Sequence, residues 1–190
     1  MSDLKLDKKS TALVLIDLQK GIAGRDTAPH TSSAVIANGV RLAERFRANG
    51  GTVVLVRVTF APDGTDRLQT PTDTAFPAMQ MPPDWAEIVP ELGPKPGDLV
   101  VTKRQWGAFY GTDLELHLRR RGISTIVIGG ISTNFGVEST ARDAWERNFA
   151  MVFAEDAMAA MDAAAHTFAI TNIFPRLGRV RSTADVLKAL

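Results

Sequence analysis

Three places in the chain put a chemically capable residue at the end of an apolar run. Asp17 stands near the end of residues 11–18, Lys103 closes residues 98–103, and the glycine-containing segment 129–137 follows residues 124–128. A carboxylate and an ammonium can hold each other as an ion pair, and the carboxylate can move a proton as general acid or base. A turn built on small residues brings backbone N–H groups close to a ligand. The hydroxyls of Ser132, Thr133 and Ser139 could act as nucleophiles only with a base at hydrogen-bond distance; turn formation and helix capping explain them more simply. Asp17 has its own simpler explanation as a turn residue for the loop 19–24, and a strand-end lysine is most often solvated. Zero cysteines exclude disulfides, thiolate metal sites and covalent chemistry through sulfur.

The elements that must position these residues alternate. Apolar runs at 11–18, 52–59, 98–103, 124–128 and 149–154 predict strands buried on both faces of a parallel sheet, with a weak sixth at 179–181. Helical spacing predicts helices over 31–48, ended by Asn49-Gly50-Gly51, over 113–121 with Thr112 or Gly111 as cap, and after 137 through Thr140, Ala141 and Ala144. Ser182 is expected to cap a C-terminal helix. Strand and helix in alternation imply right-handed crossovers, a three-layer Rossmann-like α/β fold, and one domain over 1–190. The sheet's carboxyl edge is where such folds bind ligands. Residues 61–96 show no sustained period and are rich in Pro, Asp, Thr and Gly, as expected of a loop covering that edge, with Arg57, Arg67 and Trp85 facing a ligand.

Composition narrows the function classes. The 190 residues are 45% apolar and 23% charged, with 22 basic against 21 acidic side chains, so no net field gathers nucleic acid or an anionic membrane. The charged start and the absence of a long apolar run predict a cytoplasmic protein. No dinucleotide fingerprint or Walker loop follows the first strand, and no cofactor is expected. His30, His117 and His166 are scattered along the chain, so no metal is expected either. A small molecule is the expected partner.

The motifs around these residues resemble those of the isochorismatase-like hydrolases. Asp17-Leu18-Gln19 matches that family's Asp-Leu/Met-Gln motif at the end of the first strand. Residues 103–114, from Lys103 through Gly107-Ala108-Phe109 to Thr112 and Leu114, resemble its lysine motif. Thr133-Asn134-Phe135-Gly136-Val137 resembles its nucleophile turn, with glycine where the cysteine hydrolases keep the thiol, and Glu155-Asp156-Ala157-Met158 resembles its Asp-Ala turn before the next helix. The resemblance covers nearly the full chain; each motif alone is weak, but their order and spacing are specific.

It implies that Asp17, Lys103 and Gly136 occupy the catalytic positions, that the peptide before Ser132 is cis and aims an amide into the site, and that the protein is a homo-oligomer, a dimer or tetramer. Substrate contacts are expected from Gln19, Arg57, Arg67, Trp106, Phe109, Ile131, Ser132, Thr133 and Phe135, with Trp106 and Phe109 as pocket wall or core. No Asp-x-His pattern follows the second strand as in the zinc-bearing nicotinamidases. Isochorismatases proper also lack the thiol and protonate the vinyl carbon of an enol-pyruvyl ether from the aspartic acid, and Gly136 would leave room for such a substrate. Two other readings stay open: an ionised Asp17 that activates water against an amide or ester, and a non-catalytic protein that binds a metabolite or partner in the same cleft.

Overall fold

The computed structural model describes residues 4–74 and 81–190; Phe76 and Met79 of the long loop lie outside them. In chain order the elements are β1 (Thr11–Ile16), α1 (Lys20–Ala23), α2 (Ser32–Ala48), β2 (Thr52–Val58), β3 (Leu99–Lys103), α3 (Leu114–Arg120) and β4 (Thr125–Ile131). A π-helical turn, Thr133–Val137, leads into α4 (Glu138–Glu146), followed by β5 (Ala150–Ala159) and α5 (Ala163–Phe168). A second π-turn, Ala169–Ile173, precedes α6 (Phe174–Leu177), β6 (Gly178–Arg181) and α7 (Thr183–Ala189).

The six strands form one parallel sheet in the order β3-β2-β1-β4-β5-β6. Every residue of β1 is buried, which is why its sequence is an unbroken apolar run: successive side chains feed opposite cores. Ala12, Val14 and Ile16 join Val56, Val101 and Ile128 beneath Leu118, Ala141 and Phe174. Leu13 and Leu15 join Leu55 and Val127 beneath Val35, Leu42, Phe46 and Val186. Phe46, Phe153 and Phe174 are almost wholly buried, each contributing roughly 1.5–3 kcal/mol.

Strand order reverses between β1 and β4, and in open α/β sheets the crevice at that switch is the ligand site. Asp17 follows β1 and the π-turn follows β4, so the reversal itself brings them together. Capping residues set the helices around this frame: Thr31 caps α2, and Ser182 with Asp185 forms a reciprocal capping box on α7. Thr112, not Gly111, supplies the oxygen for Leu114 N–H at the start of α3.

Two expectations need correction. The loop after Asp17 contains a short helix, α1. The segment 155–158 is not a turn: β5 runs on to Ala159, with a register shift against β4 between Ile128 and Gly130. Acidic residues survive inside this strand because distant partners take them up. Thr183 N–H donates to Asp156 Oδ1, Asn38 donates to its carbonyl, and Glu155 meets two histidines.

Candidate active site

Asp17 takes a left-handed backbone conformation, φ 53°, which Asp tolerates better than most side chains. Its N–H donates to Val56 O across the sheet. The side chain does not cap a turn. Lys103 Nζ donates to Asp17 Oδ2 at 2.8 Å and to Gln105 O at 3.0 Å, and both residues are buried, 5% and 2% exposed. Asp17 Oδ1 is buried with no hydrogen-bond partner among the described residues. Burial pushes the Asp17 carboxyl up to about 6, against the opposing charge and hydrogen bond of Lys103. At Asp17, desolvation therefore outweighs the help that Lys103 gives the charged form.

Gly136 closes the other side. A Cβ placed there would lie 2.9 Å from Ile16 Cγ2 and 3.1 Å from Asp17 Oδ2. The glycine therefore does not leave an open space for a larger substrate, as the sequence suggested; it lets the π-turn lean directly onto Asp17. Thr140 locks this approach: its hydroxyl donates to Gly136 O at 2.7 Å and accepts from Ala108 N–H at 3.1 Å, tying the turn to the loop after Lys103. Helical spacing alone marked Thr140 only as a buried helix position. π-turns recur at functional sites, and the peptide between Ile131 and Ser132 is cis. The N–H groups of Phe135 and Val137 both donate back to Ser132 O at 3.2 Å, so these two amides are already engaged.

The remaining candidates divide sharply. Phe135 of the turn meets Trp106 in a tilted contact with ring centroids 4.8 Å apart, both substantially exposed. Ser132, at the turn's start, donates to Asn134 Oδ1. Gln19 is fully buried and structural: its amide donates to Val58 O and Trp85 O and accepts from Val58 N–H, which consumes its polar capacity. Phe109 is core, packed on Phe149 beneath Arg147, and Ile131 is core as well. Arg57 bonds Thr102, and strand alternation puts both on the face opposite Lys103. Arg67 lies over Phe60 and donates to Met81 Sδ. Trp85 packs against Gly21, where its ring fills the position a Cβ would take, and helps fix the 85–92 segment over the β1 exit.

Sequence reading also missed a cluster. His30 and His166, 136 positions apart in the chain, converge on Glu155 Oε1 at 2.8 and 3.1 Å, so these two are not scattered in space, while His117 stays apart beside Asp113. Burial holds His166 below the usual histidine range in spite of Glu155. Burial raises Glu155, but the two histidines outweigh it and leave its carboxyl low. Thr133 Oγ1 lies 2.9 Å from His166 Nδ1, giving the order hydroxyl, imidazole, carboxylate of a nucleophilic triad. Thr133 is 0% exposed, however, so that hydroxyl meets no substrate.

A parallel Rossmann-like sheet with an acid–lysine pair and a small-residue turn at its switch point is the architecture of an α/β hydrolase. The chain belongs to the isochorismatase family, whose isochorismatase domain model matches residues 11–185. It is 52% identical to the isochorismatase family protein YecD of Escherichia coli O157:H7, over 98% of this chain and 100% of that one. It is 33% identical to the ureidoacrylate amidohydrolase RutB of Methylorubrum extorquens, over 97% of this chain and 84% of the relative. An isochorismatase family protein from Burkholderia thailandensis superposes with a TM-score of 0.95 at 46% identity, covering 100% of this chain and 99% of that one.

Proposed function

We propose that this hydrolase acts without a covalent intermediate on a small anionic metabolite, using Asp17 as its proton-transfer group, and that its substrate is an enol ether. The observation that carries this reading is the buried Asp17–Lys103 pair, with Asp17 pushed up to about 6 and Oδ1 unpartnered. Lys103 is the single hydrogen-bond partner of the Asp17 side chain among the described residues, so no protein hydroxyl is activated by it. A carboxyl that titrates near 6 can give and recover a proton close to neutrality. Its acid form would protonate the vinyl carbon. Water then adds to the oxocarbenium ion, the hemiketal collapses to ketone and alcohol, and the released proton returns to Asp17. An anionic substrate group beside Asp17 would raise its pKa further and favour the acid form. This route forms no tetrahedral oxyanion, which suits a turn whose Phe135 and Val137 amides are engaged.

Hydrolysis of an amide by Asp17-activated water is the second reading, favoured by the likeness to an amidohydrolase. The two differ in sign. Turnover of a panel of enol-pyruvyl ethers, ureido amides and esters, followed as kcat/KM against pH, is expected to show one limb near 6 that belongs to Asp17. With an acid catalyst the rate is full below that limb and declines as pH rises through it; with a base the rate is lost as pH falls through it. Absence of turnover across the panel, together with unchanged affinity of a panel member for the Asp17→Asn protein, would favour the metabolite-binding reading.

A further inference from the structure

We propose that His30, Glu155 and His166 form a site for a divalent transition-metal ion of the zinc class, separate from the Asp17–Lys103 pair. One donor atom from each of the three lies within 4.8 Å of the other two. Two imidazoles and a carboxylate are a donor set that zinc uses when its fourth position stays open to water.

The distances suit such an ion after a small adjustment. With metal–ligand bonds near 2.0–2.2 Å, tetrahedral donors sit about 3.3 Å apart. Glu155 Oε1 lies 2.8 Å from His30 Nε2 and 3.1 Å from His166 Nε2, so on entry of a cation each of these two pairs spreads by only a few tenths of an ångström, while the two imidazole donors, within 4.8 Å of each other, settle to the same spacing. The rings meet edge to face, 5.6 Å between centroids at 84°, so they approach the carboxylate from different directions. His30 and Glu155 side chains are each 31% exposed, which gives the ion a path in and leaves a coordination position facing solvent.

The surroundings hold the ligands as a metal site requires. His166 Nδ1 faces the Thr133 hydroxyl, and a metal-bound imidazole ordinarily hydrogen-bonds through its other nitrogen in this way. Asp162 caps α5 through two backbone N–H groups and so sets the helix that carries His166. Reciprocal backbone bonds between Ala28 and Ala160 pin the segment carrying His30 to the chain just past the end of β5. Among the described residues the ion-pair partners of Glu155 are these two histidines, so no ammonium or guanidinium competes for the carboxylate. Thr133 begins the π-turn, and an ion here would therefore brace the segment that carries Gly136.

The test is metal binding itself. Chelator-treated wild-type protein, titrated with Zn²⁺ and with Co²⁺, is expected to bind one equivalent of each, with Co²⁺ showing the visible absorption of a four-coordinate site and Zn²⁺ raising Tm. His30→Ala changes a part-exposed residue and should fold, as checked by its metal-free Tm; it should weaken binding by at least about 100-fold. Thr133→Val, which leaves all three ligands, should weaken it by roughly 10–100-fold. Failure of wild type to bind a stoichiometric ion, or equal binding by wild type and a folded His30→Ala protein, would overturn the proposal. Neither readout depends on catalysis, so the Asp17 mechanism can fail while this site stands.

Discussion

Asp17→Asn is expected to lower kcat on the natural substrate by roughly 10²–10⁴-fold while leaving affinity within a modest factor. The amide can still accept from Lys103 Nζ, where Oδ2 now takes the bond at 2.8 Å, so the shape of the site survives. What it loses is a proton that can leave and return. The carboxyl is already biased toward its neutral form by burial, so an uncharged side chain is tolerable at this position. A Tm close to wild type with lost turnover assigns the defect to chemistry. Turnover within a few-fold of wild type would remove Asp17 from the mechanism.

Lys103→Met is expected to give the largest loss of stability, about 3–5 kcal/mol at pH 8, because it strands a buried carboxylate. Both effects of Lys103 on Asp17 lower its pKa, so without it the folded-state value climbs above about 6, further from the unfolded value near 3.9. A carboxyl whose folded pKa is raised binds its proton more tightly in the native state. The native state is therefore favoured as pH drops through the folded pKa and disfavoured as pH rises through it. The defect of the variant should shrink between pH 8 and pH 5.5 in denaturant unfolding. A loss that is independent of pH would mean that Lys103 contributes packing and no charge compensation.

The strands were legible because a parallel sheet covered on both faces demands apolar residues at successive positions, and two of the runs close on a charged residue that such a sheet would not otherwise carry. Asp17 and Lys103 stood out against that background. Roles within a motif were less legible. Gln19 matches its motif as well as Asp17 does, yet its amide is spent on Val58 and Trp85, and only the fold of the 85–92 segment reveals that. Glu155 and Asp156 resembled the family's Asp-Ala turn, and what keeps them inside a strand was not visible in the sequence: their partners, His30, Asn38, His166 and Thr183, are supplied by other segments. The histidine cluster had no local signal for the same reason. Arg57 was misplaced by position alone: strand alternation sends it to the opposite face from the site.

Gly136 constrains any conversion of this site to thiol chemistry. A cysteine there would put its Cβ 2.9 Å from the Ile16 methyl, and overpacking of that kind costs about 1–3 kcal/mol. Gly136→Cys alone should therefore lower Tm and present a poorly placed thiol. Ile16→Leu takes the branch off Cβ at nearly constant volume, so the double variant should recover stability relative to Gly136→Cys, with the thiol set against Asp17; equal Tm values for the two would show that Ile16 is not the obstacle. Conversion to a thiol enzyme is then a path with a preferred order of steps, in which residue 16 changes before residue 136. The neighbour acts as a latch: while the Ile16 methyl fills the space beside the glycine, a sulfur cannot simply be placed there.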